Sequence, residues 1–193
     1  ALEQAGMAAE DVELIIVATI TPDTPTPATA CYVQAKLGSY SAVAFDISAA
    51  CSGFLYAMKI AKRLISDGAY SNAVIIGAEK LSSVTNWEDR NTCVLFGDGA
   101  GAAVLRRSND GEGRILATEM GTDGRHTSLL EIKGGGSACP ITAANAESNL
   151  QTLSMQGREV FKLAVNAMRT AAETVIERAG LSPDDIKLIV PHQ

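Results

Sequence analysis

Histidine is scarce in this sequence, with two residues, His126 and His192, among 193. Together with four cysteines (Cys31, Cys51, Cys93, Cys139) that show no CxxC spacing, this leaves little material for a metal centre, and none is expected. The thiols form no dense framework either, which fits free cysteines in a reducing cytoplasm better than disulfides. Positive charge is in deficit, since 16 Lys+Arg stand against 22 Asp+Glu for a formal net charge of -6. A nucleic-acid footprint needs a basic stripe to neutralise phosphates, so that class is set aside. No apolar run has the length of a bilayer-spanning helix and the start shows no signal peptide, so no membrane partner is expected.

What is present is core. Hydrophobic residues make up 47% and charged ones 20%, the balance of a globular domain able to bury a large interior. Residues 13–19 (ELIIVAT), 42–47 (AVAFDI) and 73–78 (AVIIGA) are short apolar runs that predict buried strands. Between them, residues 28–37 read as a helix ending at Gly38. In residues 52–67 the apolar Phe54, Leu55, Met58, Ile60, Ala61, Leu64 and Ile65 recur at helical spacing. Strand, helix, strand in this order predicts a βαβ unit with parallel strands and a covered sheet. Residues 102–105 predict a further strand, with residues 114–119 as its hairpin partner. Residues 121–150 read as a long polar loop, 156–179 as an amphipathic helix and 187–190 (KLIV) as a last strand.

One internal similarity sets the architecture. Residues 3–16 (EQAGMAAEDVELII) and 177–190 (ERAGLSPDDIKLIV) align at a constant offset of 174, from Glu3 and Glu177 onward. Convergent helix-cap chemistry would produce some of these matches; a duplicated α/β half accounts for them better. On that reading Ala18 and His192 end equivalent strands, and ligands in open α/β sheets sit beyond such ends. The opening residues read as the end of a helix and the chain stops directly after a predicted strand, so the expectation is the middle of a longer polypeptide.

Cys51 falls between a strand end and a helix start, in Asp46-Ile47-Ser48-Ala49-Ala50-Cys51-Ser52-Gly53-Phe54. Unpaired amides and the helix dipole favour an anion there, so this thiol is expected to be unusually acidic. The alternative is a buried structural cysteine. Cys31 and Cys93 look core-like, and Cys139 has no evident activator. His192 projects from a strand end, and a cysteine–histidine pair is the minimum equipment for covalent acyl catalysis. His126, in a polar stretch, reads as solvated. Gly97-Asp98-Gly99-Ala100-Gly101 carries no phosphate-loop lysine and precedes a strand, so it reads as a turn where side chains would not fit.

Four segments in register, DISAACSGFLYA, LFGDGAGAAVL, MQGREVFKLAV and the closing VPHQ, resemble the 3-oxoacyl-ACP synthase III family over essentially the whole chain. The resemblance implies an α/β, thiolase-like fold of two duplicated halves around a five-layer α-β-α-β-α core. Residues 1–106 would form most of the N-terminal half, 107–155 a connecting hairpin and loop, and 156–193 the start of the C-terminal half. It implies a cytoplasmic homodimer without cofactor that condenses acyl-CoA with malonyl-ACP to start fatty acid synthesis. Cys51 would carry the acyl group and His192 would assist decarboxylation. An asparagine completing the triad would lie beyond Gln193. Arg90 matches an arginine near the CoA nucleotide; Leu81, Phe96, Met155 and Phe161 match positions lining the acyl and pantetheine channel. Thr26 stands where the family often has phenylalanine, near the primer pocket. The alternatives are a ketosynthase-like acyltransferase of secondary metabolism and a non-catalytic partner subunit of the same fold.

Overall fold

Five successive apolar residues cannot be hidden by one face of a sheet, because alternate side chains of a strand point opposite ways. The computed structural model, which describes residues 1–108 and 113–193, resolves this by covering both faces. Two compact units emerge: Ala1–Lys80 with Asp98–Ile115, and Leu81–Gly97 with Leu116–Gln193.

In the first unit Leu2–Ala5 (α1) leads to Leu14–Ala18 (β1), a strand buried at every position. Val43–Ile47 (β2) and Asn72–Lys80 (β3) flank β1, both parallel to it, and Asp98–Arg106 (β4) pairs antiparallel with β3. Ile15 and Val17 point to a core with Val12, Ala30, Ala42 and Val74, on the side of Thr29–Leu37 (α2). Leu14 and Ile16 point the other way and meet Ala57, Ala61 and Ile65 of Gly53–Ser66 (α3). Burying each such aliphatic side chain stabilises the fold by about 1.5–3 kcal/mol relative to leaving it in water. The expected βαβ unit is therefore present, with one adjustment. Leu55 is 59% exposed and Ala57 takes the core position, because the 3.6-residue turn carries residue 55 round to the outer face.

Side chains at the strand ends fasten the layers. Both carboxylate oxygens of Asp46 accept the otherwise unpaired amides that start α2, from Thr29 N at 2.7 Å and Ala30 N at 2.8 Å. Asn72 accepts from Glu13 N and donates to Asp11 O, so this buried amide is paired at both ends. Gly53 opens α3 where a Cβ would lie 2.9 Å from Ala18 Cβ, closer than carbon atoms tolerate.

The second unit holds a short antiparallel pair, Leu130–Ile132 (β5) with Leu153–Met155 (β6), and the long helix Gly157–Arg178 (α4). The predicted loop 121–150 is thus partly regular, since Gly124–Leu129 is a 3-10 turn leading into β5.

The sequence repeat recurs in the backbone. Gly6 and Gly180 both adopt positive φ, 60° and 68°. Gly6 N–H donates to Glu3 O and Met7 N–H to Leu2 O; Gly180 and Leu181 donate to Glu177 and Ile176 in the same pattern. Ala9–Asp11 and Pro183–Asp185 are matching 3-10 turns. The copies then part. The predicted strand 187–190 is irregular, with Leu188, Ile189 and Val190 exposed by 78%, 68% and 82%. A strand exists through its pairing. β1 has two partners, and residues 187–190 have none among the described residues.

Two other expectations are corrected. Residues 114–119 form no strand, and residues 109–112, between them and β4, lie outside the described residues. Asp98, Gly99, Ala100 and Gly101 belong to β4 instead of a turn, and a Cβ at Gly97, Gly99 or Gly101 would meet nothing within 4 Å. Crowding within this chain is not what places glycine there.

Gly53→Val is expected to destabilise the protein by about 1–3 kcal/mol, the usual cost of overpacking. Urea unfolding checks this; an unchanged midpoint would remove the close approach of α3 to β1 as a constraint.

Candidate active site

β1 and β2 end level with one another, while β3 runs on past them to Lys80. Ala18 pairs with Ile47 of β2 and with Gly77 of β3. Beyond Ile47 the chain must turn sharply to enter α3, and small residues make the turn. Ala50 takes φ 44°, a left-handed conformation that costs a non-glycine residue roughly 1–2 kcal/mol. Cys51 follows in the 3-10 turn Ala50–Ser52, two residues before the α-helix begins at Gly53. No side chain caps the start of α3. The result is a strand–turn–helix elbow with Cys51 at its tip, a geometry suited to displaying a reactive side chain.

Cys51 is exposed, and it lines a pocket of about 260 Å³ with Ala18, Phe54, Gly77, Ala78 and Glu79 and with residues 99–101 of β4. This setting corrects the expected acidity. Loss of solvation beside the apolar walls pushes the thiol up from its ordinary value, its own backbone N–H pulls it back, and the Glu79 carboxylate pushes it up again. The helix start is present, but desolvation and a negative neighbour outweigh it in the resting chain.

Glu79 is the residue that sequence reasoning missed. It lies in β3, and its Oε1 accepts from Ile20 N at 2.9 Å while Oε2 accepts from Thr21 Oγ1 at 2.7 Å. The available signal was an acidic residue at the carboxyl end of an otherwise apolar strand, AVIIGAE.

The other candidates lie elsewhere. Thr26 is exposed in the loop between β1 and α2, ahead of the cis Thr26–Pro27 bond. In the second unit Leu81 opens a 3-10 turn, Arg90 is exposed, Phe96 and Met155 are half-buried, and Phe161 stands 70% exposed on α4. Arg90 sits in a turn built by Asp89, whose carboxylate accepts from Thr92 Oγ1 at 2.8 Å and Asn91 N at 3.0 Å. Those bonds, Thr92 first, hold the Asp89 carboxyl below its usual range. His192 is exposed in the irregular segment after Pro183–Asp185. The pocket lining is drawn wholly from the first unit and includes Cys51 alone of the predicted site residues. His126 is exposed beside Asp123, 3.7 Å away, as a solvated histidine should be. Among the described residues no group of three or more His, Cys, Asp or Glu could hold a metal ion, and no helix is long and apolar enough to cross a membrane.

A sequence profile of the family 3-oxoacyl-[acyl-carrier-protein (ACP)] synthase III matches residues 45–124, which include Cys51. Beta-ketoacyl-[acyl-carrier-protein] synthase III of Caldanaerobacter subterraneus is 52% identical over 193 residues, covering 100% of this chain and 58% of that protein. The crystal structure of 3-oxoacyl-[acyl-carrier-protein] synthase III from Aquifex aeolicus superposes with a TM-score of 0.85 at 47% identity, over 97% of this chain and 56% of that one. A priming beta-ketosynthase from a polyketide biosynthetic pathway superposes with a TM-score of 0.82 at 32% identity, over 96% of this chain and 54% of that one. The chain thus spans 58% of the length of the first of these relatives. With the α/β architecture and sequence identity along its full length in agreement, this chain belongs to the 3-oxoacyl-[acyl-carrier-protein] synthase III family and has its thiolase-like fold.

Proposed function

We propose that this chain carries the acyl-accepting cysteine of an enzyme that condenses an acyl-CoA primer with malonyl-ACP to give 3-oxoacyl-ACP, the opening step of fatty acid synthesis. The observation that carries the reading is Cys51 itself, displayed on a strained elbow at the level where the parallel strands end.

The chemistry runs in two half-reactions. The Cys51 sulfur attacks the thioester carbonyl of acyl-CoA, the C–S bond to CoA breaks, and CoA leaves as a thiol with the cysteine's proton. The backbone N–H of Cys51 supports the oxyanion that forms on the way. Malonyl-ACP then loses CO₂, and the electron pair left behind attacks the acyl-Cys51 carbonyl and releases the cysteine sulfur. We assign His192 to donate a hydrogen bond to the enolate oxygen as CO₂ departs. Because Cys51 rests as a thiol, its attack on the thioester needs a proton acceptor.

The remaining assignments follow the family. Arg90 meets the CoA nucleotide, Leu81, Phe96, Met155 and Phe161 line the pantetheine and acyl channel, and the small Thr26 admits a longer or branched primer. Residues 1–106 form most of one thiolase-like half, 107–155 the connection, and 156–193 the start of the other. The working form is a cytoplasmic homodimer that needs no cofactor and takes acyl carrier protein as its transient partner. A second reading, an acyltransferase of specialised metabolism, is supported by the likeness to the polyketide priming ketosynthase. A non-catalytic partner subunit fits less well, because Cys51 is in place.

With malonyl-ACP and a panel of acyl-CoAs, Cys51→Ala is expected to abolish the acyl-enzyme seen by mass spectrometry. His192→Ala should keep acyl loading and lower decarboxylation by about 10²–10³-fold, the scale of losing one oxyanion donor. Residues 1–193 alone should show no condensation, and measurable 3-oxoacyl-ACP from them would contradict the need for a third catalytic residue beyond Gln193.

A further inference from the structure

Segment 19–21 leaves β1 at the end of the sheet where the elbow leaves β2, and one side chain ties it down. Glu79 accepts from Ile20 N at 2.9 Å, from Thr21 Oγ1 at 2.7 Å and from Thr19 Oγ1 at 3.4 Å. The two hydroxyls accept in turn: Thr21 N–H donates to Thr19 Oγ1 at 3.0 Å, and Lys80 N–H donates to Thr21 Oγ1 at 2.7 Å. Each hydroxyl has one proton, and both protons point at Glu79. A carboxylate satisfies such a set because it only accepts, and hydrogen bonds to a charged acceptor are the stronger kind.

This clamp faces the thiol. Around the pocket β1 contributes Ala18, α3 contributes Phe54, β4 contributes residues 99–101 and β3 contributes Gly77, Ala78 and Glu79. Of these lining groups Glu79 alone is charged, and Cys51 is the other that titrates. Apolar walls screen a charge poorly, so a carboxylate there acts on the sulfur more strongly than it would across open water.

We propose that Glu79 is a positioning residue for acyl transfer, clamping the exit of β1 to β3 and setting a fixed negative charge against the Cys51 pocket. The clamp holds residues 19–21, directly after the Ala18 against which Gly53 at the start of α3 packs. The charge adds to the loss of solvation that favours the thiol form, so the cysteine ionises when acyl-CoA and a base are both present and is less open to stray electrophiles. The assignment rests on the reading of Cys51 as acyl acceptor, and it adds what sets the readiness of that thiol.

The test is the pH–rate profile of iodoacetamide alkylation at Cys51, followed by peptide mass spectrometry, beside acyl-enzyme formation from acyl-CoA. Removing a negative neighbour favours the thiolate. Glu79→Gln is therefore expected to shift the profile to lower pH, with alkylation at pH 7 several-fold faster, while Glu79→Asp keeps the wild-type profile. Thr21→Val retains the charge and breaks the clamp; it should leave the profile in place and slow acyl loading by about tenfold, the worth of one charge-assisted hydrogen bond. Superimposable profiles for wild type and Glu79→Gln would overturn the electrostatic role. If Glu79→Gln does not fold, a Thr21→Val protein that loads at the wild-type rate overturns the clamp. A wild-type protein that alkylates with the expected profile but never forms acyl-Cys51 would instead overturn the proposed function.

Discussion

The seat of α3 on the end of β1 is the contact on which the rest of the site depends. Gly53 lets the first turn of the helix touch Ala18, with no room for a Cβ between them. Cys51 lies two residues upstream, so its height above the sheet follows from this approach and from the left-handed turn at Ala50. Behind the contact, Leu14 and Ile16 hold the helix through Ala57, Ala61 and Ile65. A side chain on a strained turn stays in place only when rigid neighbours over-determine it, and here those neighbours are buried in the core.

Electrostatics at the elbow pull in opposing directions. A helix start favours an anion by about 0.3–1 kcal/mol, an effect confined to the first turn. Loss of water beside Ala18, Phe54 and Ala78, with Glu79 nearby, favours the neutral thiol, and the balance falls on that side. A cysteine of this kind is a latent nucleophile. Under the proposed function, its reactivity comes from what arrives, a polarised thioester and a proton acceptor, more than from a standing thiolate.

The second unit shows how little a pattern fixes without neighbours. α4 forms over the residues whose periodicity predicts it, yet it buries no residue, and Phe161, Leu163, Val165 and Met168 remain exposed. The repeated helix–turn element reproduces its backbone hydrogen bonds in both copies, since Gly6 and Gly180 each satisfy a local requirement for positive φ. The strand that follows needs long-range pairing, and it forms in the first copy only.

By itself the amino-acid sequence determined whatever depends on neighbours within a few residues. That includes the buried strands from their apolar runs, the helices from their spacing, the glycine caps, and Cys51 as the candidate nucleophile from its place between a strand and a helix. Tertiary structure alone decided the rest. Glu79 stands 28 positions from Cys51 along the chain and meets it only because β3 pairs parallel with β1 and runs on past its end, beside the turn that leaves β2. The direction of the thiol's ionisation and the absence of a strand at residues 187–190 were hidden for the same reason. Desolvation, charge proximity and strand pairing are properties of what folding brings close, and spacing in a linear chain carries no record of them.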